Sequence, residues 1–176
     1  MSEKPLTQSI RAGEPPADQK AYEKSGGYQA VWTALKKMTQ QEVTEVVAQS
    51  KLRGRGGAGF PTGVKWRLVP LGADAPHPKY LVVNADEMEP GTFKDRLLLE
   101  GAPHQMVEAC ILAAYAIGAE VGYIFLRGEY VEAEKRLRRA IDEARNAGYL
   151  GVNILGSGFT FELNVHMSGG RYICGE

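Results

Sequence analysis

Little in this sequence is available for cross-linking, for metal binding or for crossing a membrane. Among 176 residues there are two cysteines, Cys110 and Cys174. Cys110 sits in the apolar run Ala109-Cys110-Ile111-Leu112-Ala113-Ala114, where a buried, inert thiol is expected. Cys174 has no C-x-x-C neighbour, so neither a disulfide framework nor a metal site follows from the spacing, and a reducing compartment is the default. Excess charge is also lacking. The 21 basic and 21 acidic residues cancel, which argues against a general nucleic-acid binder or a polybasic membrane-surface protein. The longest apolar run, residues 106–126, is broken by Glu108, Gly118, Glu120 and Gly122; it divides better into a helix and a strand than into a membrane span. The polar, mixed-charge N-terminus is unlike a secretory signal.

Glycine, by contrast, is concentrated in one stretch: Gly54-Arg55-Gly56-Gly57-Ala58-Gly59-Phe60-Pro61-Thr62-Gly63-Val64-Lys65-Trp66. Without a Cβ the backbone can turn with positive φ and approach a ligand closely, and such a loop can aim several N–H groups at one anion. Arg55 and Lys65 add positive charge, and Phe60 and Trp66 add flat apolar faces, a combination that suits a nucleotide. Gly54, Gly56 and Gly59 match G-x-G-x-x-G, yet residues 41–52 before them read as a helix rather than the strand a dinucleotide fingerprint needs. No Gly-Lys-Ser/Thr follows, which excludes the P-loop. The alternatives at this point are a phosphate cradle of neither common kind and a plain structural turn.

Along the chain, residues 1–27 read as an extended arm with little structure of its own. Residues 28–37 have helical spacing, and Thr39-Gln40-Gln41-Glu42 matches a capping box for the next helix. One helical turn is expected over residues 64–68, a loop over 70–78, and a buried strand over 80–84. Residues 103–117 read as a helix apolar nearly all round and ended by Gly118. A strand over 121–126 and an amphipathic helix over 129–146 follow, with Ala133, Leu137, Ala140, Ile141 and Ala144 inward and Glu132–Arg136 and Glu134–Arg138 as i,i+4 pairs. Residues 152–155 are expected as a third strand and 159–166 as a half-buried one. This alternation implies an α/β fold with a parallel sheet and right-handed crossovers. We divide the chain into an arm with short helices, residues 1–52, and an α/β domain, residues 53–176.

A second unusual segment starts at the end of the first strand: Asn84-Ala85-Asp86-Glu87-Met88-Glu89-Pro90-Gly91-Thr92-Phe93-Lys94-Asp95-Arg96. In open α/β sheets, ligands gather outside the carboxyl ends of the strands. The alternative is a solvated acidic loop closed by a Thr92…Asp95 helix cap. The chain then stops in a further glycine-containing stretch, residues 168–176, from which we expect an N-terminal piece of a longer polypeptide.

These motifs, with Arg127-Gly128-Glu129-Tyr130 and Tyr172-Ile173-Cys174-Gly175-Glu176, resemble the flavin-bearing, NADH-oxidising subunits of respiratory complex I, the NADH–quinone oxidoreductase. The resemblance runs from about residue 5 to residue 176 and implies a Rossmann-like domain that binds FMN with NADH stacked on the flavin. It assigns Gly54, Arg55, Gly56, Gly57, Ala58, Gly59 and Lys65 to the FMN phosphate and its surroundings, and Asn84, Asp86 and Glu87 to the flavin. Gly175 and Glu176 would approach the flavin from the end of the chain, Phe60 would stack on the NADH adenine, and Glu89 would contact NADH. No residue is assigned as a catalytic acid or base. Leu68 stands where some members carry a second adenine-stacking aromatic. The cysteines of the family's four-iron (4Fe-4S) cluster are absent, and Cys110 and Cys174 are not those ligands. Implied partners are NADH and subunits E and G of the peripheral arm, on the cytoplasmic side of a bacterial inner membrane, with no nucleic acid and no membrane insertion. The alternatives are the diaphorase subunit of an NAD-linked hydrogenase or formate dehydrogenase, and an inactive fragment lacking the iron–sulfur domain.

Overall fold

The computed structural model describes residues 6–11 and 13–175. Its elements are α1 (Gln19–Lys24), α2 (Gln29–Lys37), α3 (Gln40–Gln49), α4 (Thr62–Arg67), β1 (Tyr80–Ala85), α5 (Lys94–Gly101), α6 (Pro103–Ile117), β2 (Val121–Leu126), α7 (Val131–Asn146), a 3₁₀ turn (Ile154–Gly156), β3 (Glu162–Met167) and α8 (Tyr172–Gly175). The strands form a parallel sheet in the order β1-β2-β3, with Tyr80 opposite Val121 and Val121 opposite Glu162. Helices α5 and α6 connect the first pair, and α7 connects the second. The α/β class and the parallel sheet are as expected.

The sheet is covered on one side. Ala85, Ile124, Leu126, Leu163 and Val165 point into the core with Val107, Ile111 and Ala114 of α6 and Ala133, Leu137 and Ile141 of α7. Glycine is required at 122: a Cβ there would come within 2.6 Å of the Phe161 ring. The opposite side stays open, which corrects the expectation of a buried first strand. Val82 is 67% exposed and Tyr80 55%, because side chains alternate across a strand and no described element covers that face.

Helix ends follow the local chemistry. Thr39 and Glu42 form the reciprocal capping box at the start of α3. Gly118 ends α6 in the left-handed conformation. The inner face of α7 is buried as its spacing predicts, and the Glu132–Arg136 and Glu134–Arg138 pairs form outside.

Two further expectations fail. The arm is not structureless throughout: Asp18 accepts the Ala21 N–H at 2.8 Å and starts α1. Its Tyr22 ring then meets Tyr28 edge-on, at 5.3 Å between centroids. Residues 152–155 are not a strand. Asn153 and Leu155 both take positive φ, the Asn153 Oδ1 accepts the Gly158 N–H at 2.8 Å, and the backbone closes into the 3₁₀ turn.

A buried polar chain ties the first helices to the sheet layer. Tyr28 is stacked on Tyr149, and its hydroxyl lies 2.9 Å from His104 Nδ1. His104 Nε2 lies 3.0 Å from Glu143 on α7. With the Tyr28 hydroxyl donating to Nδ1, the ring carries its proton on Nε2 and donates to Glu143. Burial pushes the Glu143 carboxyl up, but Arg139, His104 and the Gln19 N–H outweigh it and hold it below the ordinary carboxylate value.

Candidate functional site

A cavity of about 330 Å³ opens at the carboxyl end of β1, lined among others by Arg55, Asn84, Asp86, Glu89, Tyr172 and Gly175. Three chain segments are brought together to make it. The glycine loop supplies Arg55 and Gly56; the acidic segment after β1 supplies Asn84 through Asp95; α8 closes the far side. Asn84 Nδ2 donates to the Gly175 carbonyl at 2.6 Å, and a Cβ on Gly175 would come within 2.5 Å of the Asp86 carbonyl oxygen. Only glycine lets the two stretches of backbone approach this closely.

Asp86 is 5% exposed. Its Oδ2 accepts the Ser168 hydroxyl at 2.9 Å, whereas Oδ1 is buried with no hydrogen-bond partner. Ser168 is itself pinned after β3, where its N–H donates to the Leu126 carbonyl at 2.7 Å. A buried carboxylate oxygen without a donor costs about 1–3 kcal/mol or more when charged. Asp86 as a residue lines the cavity, so a ligand whose donor reached Oδ1 would remove that cost.

The glycine loop is a narrow hairpin. Arg53 and Pro61 form an isolated antiparallel bridge, and Gly54 N–H donates to the Phe60 carbonyl at 2.9 Å. Gly59 needs its left-handed φ of 64°. Gly56 and Gly57 are different: their φ is not positive, and an added Cβ would meet no atom within 4 Å. The fold does not call for glycine at these two positions, and the lack of a Cβ leaves their backbone open to close approach.

Of the residues expected in the site, Arg55, Gly56, Asn84, Asp86, Glu87, Glu89 and Gly175 line this cavity; Glu176 lies outside the described residues. Gly54, Gly57, Ala58, Gly59, Phe60 and Lys65 are not in its lining, and Phe60 is half-exposed. Sequence reasoning missed Tyr172, whose hydroxyl donates to Glu89 at 2.6 Å, and Lys94, which borders the cavity and lies 3.7 Å from Glu87. Both stand inside the motifs quoted above, but nothing in their spacing shows which way they point.

The Thr92…Asp95 cap of the alternative reading does not form. The N-cap position of α5 is Phe93 and makes no side-chain bond. The cap comes from Glu87 instead, whose carboxylate accepts the N–H of Asp95 at 2.9 Å and of Arg96 at 3.2 Å. The Tyr130 hydroxyl donates to it as well, at 2.9 Å. Burial pushes the Glu87 carboxyl up, but these three donors and Lys94 outweigh it and keep it below the ordinary value.

A parallel sheet, a cavity at a strand's carboxyl end, a glycine loop and a buried carboxylate with one unpartnered oxygen are features with which an α/β unit can hold a nucleotide. Its family is given by comparison with known proteins. The model of the Nuo51 FMN-binding domain matches residues 47–176, so the chain belongs to that family. It is 57% identical over 155 residues to the NADH-quinone oxidoreductase F 2 subunit of Rhizobium meliloti (strain 1021), covering 88% of this chain and 36% of that protein. It is 52% identical over 172 residues to the NADH-quinone oxidoreductase F subunit of Escherichia coli (strain K12), covering 98% of this chain and 38% of that protein. Among solved structures, the NAD+-reducing [NiFe]-hydrogenase in the H2-reduced state superimposes with a TM-score of 0.66 at 33% identity, covering 99% of this chain and 26% of the other. The chain thus spans well under half the length of the curated relatives it matches.

Proposed function

We propose that this chain is the FMN-holding part of the NADH-oxidising F subunit of an NADH–quinone oxidoreductase, working within a multisubunit assembly. The observation that carries the reading is the cavity at the end of β1 between the glycine loop and the acidic segment, lined by Asp86, whose Oδ1 has no hydrogen-bond partner. FMN, when bound, would supply acceptance of a hydride from NADH and release of its two electrons one at a time to iron–sulfur clusters, the proton passing to solvent. This chain's own residues would bind and orient. Gly54 to Gly59 would present N–H groups to the phosphate, with Arg55 and Lys65 supplying charge. Asn84, Asp86 and Gly175 would form the flavin wall, which Glu87 borders and Glu176 extends. Phe60 would receive the adenine, and Glu89 would meet NADH. In this reading residues 53–176 form the cofactor-holding unit and residues 1–52 the arm and short helices that precede it. Subunits E and G are the proposed partners, on the cytoplasmic side of the inner membrane. Among the described residues no helix is long and apolar enough to cross a membrane. The likeness to the hydrogenase supports a diaphorase role as a second reading, but the identity there is 33%, against 52% and 57% to the two oxidoreductase relatives.

The test is an FMN titration of the purified chain, followed by anaerobic NADH. Saturable binding that weakens in Asp86→Ala, with bleaching of the flavin by NADH, is expected. A folded chain that takes up no FMN refutes the proposal for this chain.

A further inference from the structure

We propose that Glu87 is a positioning residue: tied by Tyr130 and the start of α5, it fixes the acidic segment that forms the cavity wall. The inference rests on the FMN reading for its ligand, but its geometry is independent of it. Both carboxylate oxygens are engaged: Oε1 by the Asp95 N–H and Oε2 by the Arg96 N–H and the Tyr130 hydroxyl. The side chain is 2% exposed, so no ligand reaches it without breaking one of these bonds. The backbone of the same residue is clamped too, since Arg127 Nη1 donates to the Glu87 carbonyl at 2.6 Å. Arg127 N–H in turn donates to the Ala85 carbonyl at 3.2 Å.

The chain therefore holds Glu87 at both ends from the turn after β2. Immediately before it stands Asp86, which lines the cavity and whose Oδ1 has no partner. Two residues after it stands Glu89, bonded to Tyr172. A rotation of the Glu87 backbone would swing these two carboxylates together. Three acids close together in sequence are thus one anchor between two site groups.

The roles separate in a double-mutant cycle of Tyr130→Phe and Glu87→Gln in the full chain, read by FMN affinity and by amide hydrogen exchange at Asp95 and Arg96. Tyr130→Phe removes one hydroxyl that touches no ligand. We expect it to weaken FMN binding about five- to tenfold, a part of the worth of one hydrogen bond to a charged group, because the cavity feels the loss only through the segment. Exchange at both amides should quicken, and Glu87→Gln should add little once Tyr130 is Phe, because the two act as one unit. Additive effects on FMN affinity, with exchange at Asp95 and Arg96 unchanged by Tyr130→Phe, would overturn the proposal and make Glu87 a direct ligand contact. If the wild-type chain binds no FMN, the cofactor reading fails, and the exchange rates alone decide whether Tyr130 anchors the segment.

Discussion

Replacing Gly63 by Ala sets two known effects against each other. Gly63 is buried at the second position of α4, where alanine is favoured over glycine by at most ~1 kcal/mol. Against this, the new methyl would sit 2.5 Å from the Ala48 Cα and 2.6 Å from its N and Cβ on α3. Comfortable separation is about 3.5–4 Å, so one helix must withdraw by roughly 1 Å. The neighbouring atoms are backbone and a methyl, with no rotamer to turn away. Overpacking of this kind costs about 1–3 kcal/mol. The clash wins, with a net loss of about 1–2 kcal/mol. For a chain of this size that lowers the melting temperature by about 2–8 °C. The glycine loop joins α3 to α4, so the same withdrawal should widen its hairpin and weaken FMN binding. Differential scanning calorimetry and an FMN titration read both. A variant that melts at or above the wild-type temperature would show that helix propensity prevails, and that α3 and α4 are not in the contact described.

Three further outcomes are expected. Burial pushes the Cys110 thiol up to about 12, while Cys174 is exposed, so a thiol reagent at neutral pH should label one cysteine in the folded chain and two in denaturant. Tyr28→Phe strands the His104 Nδ1 in the core and should destabilise by about 1–3 kcal/mol in urea unfolding, without changing the slope. The Glu87 and Glu143 carboxyls are depressed in the folded state, so their stabilisation is fully present above the ordinary carboxylate value of 4.5 and is lost as pH falls through their lower folded values. Acid unfolding should therefore move to higher pH in Tyr130→Phe, which removes one of the donors holding Glu87 down.

Much of the fold is legible where local chemistry and tertiary demand agree. The Thr39–Glu42 box, the Gly118 stop and the inner face of α7 each act within a turn or two of sequence. Residues 152–155 mislead because Val152 and Leu155 look strand-like while Asn153 prefers the left-handed turn that its own side chain then braces. The apolar run of β1 suggests burial on both faces, yet composition cannot say that Tyr80 and Val82 face outward together. In the site, the glycine loop, the acidic segment after β1 and the motif of residues 172–176 each contribute to one cavity, whereas residues 127–130 do not line it. The work of Glu87 is invisible from sequence because its partners lie at Asp95, Arg96 and Tyr130, joined only by the fold.

The register of the sheet bears on how the chain reaches this state. Tyr80 pairs with Val121 and Val121 with Glu162, so each crossover spans 41 residues (121 − 80 and 162 − 121). Loop-closure entropy depends on length alone to first order, so neither strand pair has the advantage of proximity. The helices between them decide the order. The second crossover is carried by α7, a single helix laced with ion pairs at i,i+4 spacing. The first is split between α5 and α6 at Ala102, and α5 needs Glu87 and Tyr130 already in place to cap it. The β2–α7–β3 half is thus expected to close first, and the wall of the cavity to be among the last parts of the chain to acquire its shape.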